Sequence, residues 1–314
     1  MLSGLAPIVR FYLVAAAVIV VPAIGIWFLM RRMLRCHLNW LPSVYRWPVV
    51  WQFLEGLVWA ALLLTLSIGP GWLAGGFSVG VGYERFAYLP DSAPQVPYAQ
   101  LWLMFFAQSL FEEALFRGVG MALLLLLVWR LTIWVAQPTS LAALNLGSAT
   151  PADAMEQDAQ RQARAWRAKA WWFAGLLANI VVAVAFGWVH ARNPHVTPLA
   201  IANVALAGLV LGQLFLHRGT IIGVWALHWL WNSGQAILGL PVSGVTFNPA
   251  GSGVTHGART GILTGGTFGP EGSLPNTIAM SLALAILLWL SWRKWWRSPA
   301  QDTRRPVSKR GSKS

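Results

Sequence analysis

Long apolar runs alternate with short polar segments along almost the whole chain. Seven runs come near the length of about 20 residues that crosses a bilayer as a helix: 11–30, 47–68, 98–130, 171–190, 199–216, 220–238 and 275–292. The pattern predicts an all-α, polytopic transmembrane helical bundle of about seven spans. The third run is the longest. With Gly118 and Gly120 near its middle, residues 98–136 form either one tilted or bent helix or two helices broken at the glycines. In the polar stretch 137–170, Arg161, Arg164 and Arg167 recur at a three-residue step, which predicts a solvated or headgroup-facing helix in its second half. Residues 69–97 and 239–273 are rich in Gly, Pro, Ser and Thr and read as loops. The second contains Gly265-Gly266-Thr267-Phe268-Gly269-Pro270-Glu271-Gly272. Tight turns at positive φ are the favoured reading there, ahead of an ion-binding turn or a cover over a cavity.

Composition agrees with the pattern. Hydrophobic residues make up 56% of the chain and charged ones 11%, with a mean hydropathy of +0.56. The net charge of +13 does not imply nucleic acid, because the basic residues gather in segments flanking the spans: Arg31 to Arg46, Arg161 to Lys169, His217 with Arg218, and Arg293 to Lys313. Cytoplasmic loops carry excess Lys and Arg, and placing all four segments inside gives an N-terminus outside and a C-terminus inside. That charge pattern favours one helix over 98–130, since a second crossing would put the Arg161 cluster outside. The first run is read as a retained span, because Arg31, Arg32 and Arg35 follow it and no small-residue cleavage site ends it. The single cysteine, Cys36, excludes an intramolecular disulfide and a multi-cysteine metal site. Many of the 20 tryptophans, among them Trp47, Trp129, Trp171 and Trp292, fall near span ends and read as interfacial belts.

One charged trio and two further pairs interrupt the apolar runs. Glu112, Glu113 and Arg117 lie inside the third run, where an unpaired charge is expensive and an ionisable group is a functional-site hypothesis by default. Phe186 with His190 and His228 with Asn232 recur at the same four-residue spacing. On a helix each pair shares one face, so three helices present polar faces that can converge. Glu113 and Arg117 can pair, whereas Glu112 points about 100° away and lacks that partner. Glu112 is thus the freer carboxylate, suited to taking a proton from water and returning it to a leaving amine. A purely structural ion-pair network is the competing reading. His228 and Asn232 offer an imidazole and an amide from one face, as an oxyanion requires. His190, near a span end, reads as an interfacial residue as readily as a catalyst, and Phe186 as packing that positions an imidazole.

EEALFRG at 112–118, FGWVH at 186–190 and HWLWN at 228–232 resemble, in order and spacing, the three motifs of the CAAX prenyl protease and bacteriocin-processing (CPBP, or Abi) family of intramembrane endopeptidases. The resemblance covers about residues 98–238. It implies that Glu112 activates water, that His190 orients or polarises it, that His228 and Asn232 bind the oxyanion, and that Glu113 and Arg117 support them. The expected substrate is a membrane-associated peptide or protein in a lipid bilayer, and the expected site is a bacterial cytoplasmic membrane. Three regions follow: N-terminal spans and an outer loop (1–97), a protease core (98–238), and a Gly-rich outer loop with the last span and a basic tail (239–314). Glu112, His190 and His228 also make an acceptable zinc shell with water, and the family is often called metalloprotease. A metal-free glutamate mechanism is favoured, since no HExxH helix is present. A non-catalytic membrane immunity or scaffold protein is the remaining alternative.

Overall fold

The computed structural model describes residues 10–20, 24–25, 48–79, 96–135, 151–247, 254–256 and 261–301. Among these the chain is almost wholly helical: α1 (Arg10–Val20), α2 (Val49–Leu73), α3 (Tyr98–Glu113), a π-helical segment (Ala114–Met121), α4 (Ala122–Val135), α5 (Pro151–Val189), α6 (Pro198–Arg218), α7 (Ile222–Ile237), the short α8 (Gly261–Thr264) and α9 (Leu274–Gln301). Two three-residue strands, β1 (Phe77–Val79) and β2 (Val254–His256), form an antiparallel ribbon.

Five helical stretches are long and apolar enough to cross a membrane: Val49–Leu73, Tyr98–Leu131, Lys169–Arg192, Pro198–Arg218 and Leu274–Arg293. The chain is a multi-pass membrane protein. The sequence reading expects about seven spans, and the runs 220–238 and 11–30 are not among these five described stretches. The run 220–238 forms α7, whose 16 residues extend only about 24 Å, short of the hydrocarbon thickness of about 30 Å. It is a core helix buried among the others that runs from the Arg218 end of the bundle to the loop 239–273. Of the run 11–30, residues 10–20 are helical and most of the rest lies outside the described residues.

Residues 98–135 are continuous helix, not two helices broken at the glycines. Gly118 and Gly120 fall within the eight-residue π segment, which changes the winding while keeping the backbone hydrogen-bonded, as apolar surroundings demand. The predicted helix over the second half of 137–170 is present as the start of α5.

Small residues set the helix packing, as in membranes, where lipid removes the hydrophobic drive between helices and close backbone contact replaces it. A Cβ at Gly56 of α2 would sit 2.0 Å from the Gly223 carbonyl oxygen of α7, and one at Gly208 of α6 would sit 3.0 Å from Ala183 Cα of α5. Around these contacts Leu63, Met121, Leu125, Leu214 and Leu287 form the core. Residues such as Val58, Leu127, Val184 and Leu282 point outward on the lipid-facing sides.

The bundle has two distinct ends. At one, Arg218 closes α6 with paired hydrogen bonds of 2.6 and 2.7 Å to Glu55, and Trp129 packs edge-on against Trp171. At the other lie the ribbon and the loop 239–273. There Asn203 Nδ2 donates to the carbonyls of Glu271 and Ser273, and Ser67 donates to Asn276. Gly265, Gly266 and Gly269 take φ of 80°, 57° and 95°, the positive-φ turns read from the sequence. A Cβ at Gly265 would also collide with the Gly269 carbonyl.

Candidate active site

The charged trio and the two pairs are drawn to one region inside the bundle. Glu112 and Glu113 end α3, Arg117 lies in the π segment, His190 opens a 3-10 turn after α5, and His228 and Asn232 lie on α7. The Glu113 and Arg117 side chains are fully buried. Arg117 Nη1 donates to Glu113 Oε1 at 2.9 Å, and Nη2 donates to the Gly208 carbonyl at 3.1 Å. The glycine that lets α5 and α6 close therefore also anchors the guanidinium.

Glu113 Oε1 has a second partner that the helix spacing did not reveal. His228 Nδ1 lies 2.7 Å from it, so that nitrogen carries its hydrogen toward the carboxylate. The other ring nitrogen, Nε2, turns toward Glu112 and stands 3.9 Å from its Oε2. This gap is too long for a direct hydrogen bond. Glu112 Oε1 accepts from Gln108 Nε2 at 2.6 Å, while its Oε2 is buried with no hydrogen-bond partner among the described residues. The two adjacent carboxylates thus differ in their partners: Glu113 is held by Arg117 and His228, whereas Glu112 accepts only from the neutral Gln108 among the described residues; each keeps an Oε2 with no hydrogen-bond partner there.

Phe186 is the partition between the charged groups and the cavity. The Arg117 guanidinium stands 4.7 Å from its ring centre, and the rings of His190 and His228 lie 4.7 and 6.1 Å away. Its carbonyl accepts from His190 Nδ1 at 2.7 Å, which fixes the tautomer and leaves His190 Nε2 with a lone pair. Asn232 Nδ2 donates to Gln108 Oε1 at 3.3 Å. Glu112, His190, His228 and Asn232 all line one cavity of about 480 Å³.

Two functional candidates escaped the sequence reading. Gln108 bridges Glu112 and Asn232; its position four residues before Glu112 was a usable signal, on the same logic that paired Glu113 with Arg117. Glu271 also lines the cavity. It is 6% exposed, and its carboxylate accepts from Trp231 Nε1 at 2.9 Å, Gln235 Nε2 at 3.2 Å and the Ser243 hydroxyl. The glycine-rich turn therefore builds one wall of the cavity.

The resemblance also allows a zinc ion on Glu112, His190 and His228. Among the described residues, no three His, Cys, Asp or Glu side chains stand close enough together to hold a metal ion, so these three as placed do not form a shell.

Residues 158–234 match the family model described as Rce1-like, type II CAAX prenyl endopeptidase. The matched segment includes the FGWVH and HWLWN motifs and agrees with the family that the three motifs resemble. It supports a membrane protease. No curated protein and no solved structure matches the chain.

Proposed function

We propose that the chain is an intramembrane endopeptidase that hydrolyses a peptide bond of a membrane-associated polypeptide, with Glu112 as the base. The observation that carries this reading is the 3.9 Å gap between Glu112 Oε2 and His228 Nε2 at the wall of the cavity. One water can touch both groups across such a gap. Glu112 takes a proton from that water as its oxygen bonds to the scissile carbonyl carbon. The carbonyl π electrons move onto oxygen, and the resulting oxyanion accepts hydrogen bonds from His228 Nε2–H and the free amide proton of Asn232. Glu112 then delivers its proton to the amide nitrogen, the C–N bond breaks, and an acid and an amine leave. His190, with Nε2 free, helps to orient the water.

This role requires hydrogen on both nitrogens of His228. The cluster supplies the compensation: two carboxylates and one guanidinium leave one negative charge, which an imidazolium balances. The setting is a cell membrane, proposed to be a bacterial cytoplasmic one. The test is Glu112→Gln, which keeps the volume and removes the proton acceptor. Turnover of a membrane peptide should fall about 10²- to 10⁴-fold while the protein stays folded and inserted. Retention of a tenth of the wild-type rate would remove Glu112 from the base role.

One observation favours a metal-dependent version. Both His190 and His228 have Nδ1 engaged and Nε2 free, the arrangement of metal-bound imidazoles with outer partners. Exhaustive chelation decides between the two. The metal-free reading expects undiminished turnover and no stoichiometric zinc, whereas loss of activity that zinc restores would replace it.

A further inference from the structure

We infer that the catalytic cavity opens on the non-cytoplasmic side of the membrane, so that its substrate is a polypeptide presented from that face. The inference rests on the protease reading only for the word substrate; the placement of the cavity stands on geometry and charge alone. Tracing the ends of the helices divides the bundle cleanly. The Glu55–Arg218 pair, the Trp129–Trp171 contact and the hydrogen bond from Gln213 to Ser291 lie toward one end, where Lys169, Arg218 and Arg293 bound the apolar stretches Lys169–Arg192, Pro198–Arg218 and Leu274–Arg293; the basic segments 31–46, 161–169 and 293–313 adjoin the same helix ends in sequence. The excess of Lys and Arg makes this the cytoplasmic end.

The cavity reaches the opposite end. Its lining includes Asn193, Ser243, Val245, Phe247 and Glu271, all from segments that follow the outer ends of α5 and α7 or precede α9. Val245 is 43% exposed at the rim. None of the residues that tie the basic end together takes part in the lining. Tyr12, near the start of α1, joins the same wall, which agrees with an outward N-terminus without having been used to assign it.

Charge in the cavity points the same way. Among the described residues its lining holds Glu112 and Glu271 but no Lys or Arg, so a chain ending in a free carboxylate beside the scissile bond would meet two acidic groups and, as a cation, only the His228 imidazolium. An apolar stretch of anchored or exported polypeptide meets neither obstacle, whereas a cytosolic tail would approach from the wrong side as well.

Cysteine accessibility tests the placement. With Cys36→Ser as background, Val245→Cys reports the cavity mouth, Ile262→Cys, in a 62% exposed position, reports the same end if the first variant does not fold, and Arg293→Cys reports the basic end. In intact spheroplasts a membrane-impermeant maleimide should label positions 245 and 262, and position 293 should label only after permeabilisation. Protection of 245 and 262 until permeabilisation overturns the inference, as does equal labelling of all three in intact spheroplasts. The readout does not need turnover. A protein that labels as expected but cleaves nothing sinks the protease reading alone, and one that cleaves but labels in reverse sinks only the placement.

Discussion

Two carboxylates, the buried Glu271 and the partly buried Glu112, face the same cavity with opposite surroundings. Glu271 is saturated: both oxygens accept hydrogen bonds, from Trp231, Gln235 and Ser243, and its backbone carbonyl accepts from Asn203 and Asn276. Glu112 has a single donor, Gln108, and an oxygen with no partner among the described residues. A saturated carboxylate is a tether, here fixing the glycine-rich loop to α7 and Ser243 while the backbone carbonyl holds it to α6 and α9. An unsaturated one retains a lone pair for chemistry. Burial of charge in a membrane protein therefore does not by itself mark a catalyst; the proposed base is set apart by unused hydrogen-bonding capacity together with a place in the cavity wall. Glu113 stands between the two, with Oε1 shared by Arg117 and His228 and Oε2 without a partner among the described residues.

The sharpest way to strain this comparison is to break the ion pair beside Glu112. Glu113→Gln or Arg117→Met alone leaves a buried charge without its partner and should cost about 3–5 kcal/mol of stability. The double change removes both charges and should recover part of that loss. His228 limits the recovery, because its Nδ1 loses the carboxylate in the double variant too, so turnover stays low even where stability returns. A double-mutant cycle on thermal unfolding in detergent, with turnover measured alongside, separates these effects. Simple additivity at 113 and 117 would show that the two do not act as a pair.

Glu271→Gln should move stability and leave chemistry alone. The amide cannot accept from all three donors, and a hydrogen bond to a charged group contributes about 1.5–3 kcal/mol, so the unfolding temperature should fall. Turnover per folded molecule should stay within a few-fold of wild type. If it collapses as expected for Glu112→Gln, then Glu271 takes part in the reaction and the contrast between tether and base is wrong.

The legible parts of this molecule were those governed by local spacing. Apolar runs marked the long helices because backbone groups in lipid must be satisfied within the helix, and four-residue steps placed Glu113 on Arg117 and His228 near Asn232. The loop-end glycines announced their turns through the conformations that other residues avoid. What could not be read was any partner distant in sequence. His228 reaches Glu113 across 115 positions, and Glu271 reaches Trp231 across 40; neither spacing carries a period. The shortness of α7 escaped because mean apolarity does not distinguish a buried core helix from a span when both are surrounded by nonpolar groups. Gln108 is different. Its four-residue relation to Glu112 was in plain view, but a neutral amide in an apolar run draws less notice than a charge.

Gln108 provides the smallest expected effect and the finest test of the contrast. Its Nε2 donates to Glu112 at 2.6 Å and its Oε1 accepts from Asn232 at 3.3 Å, so one amide orients both the base and an oxyanion donor without touching the reacting atoms itself. Gln108→Leu removes both bonds at nearly constant volume. A misdirected base and amide should lower kcat about tenfold, equivalent to about 1.4 kcal/mol in the barrier, with KM little changed because the cavity keeps its shape. Gln108→Asn, shorter by one methylene, should restore less than half of that loss. A merely structural role predicts the reverse pattern, in which Gln108→Leu lowers the unfolding temperature and leaves kcat of the folded fraction intact. In that outcome Glu112 would owe its orientation to the helix alone, and its difference from Glu271 would lie only in the oxygen left open.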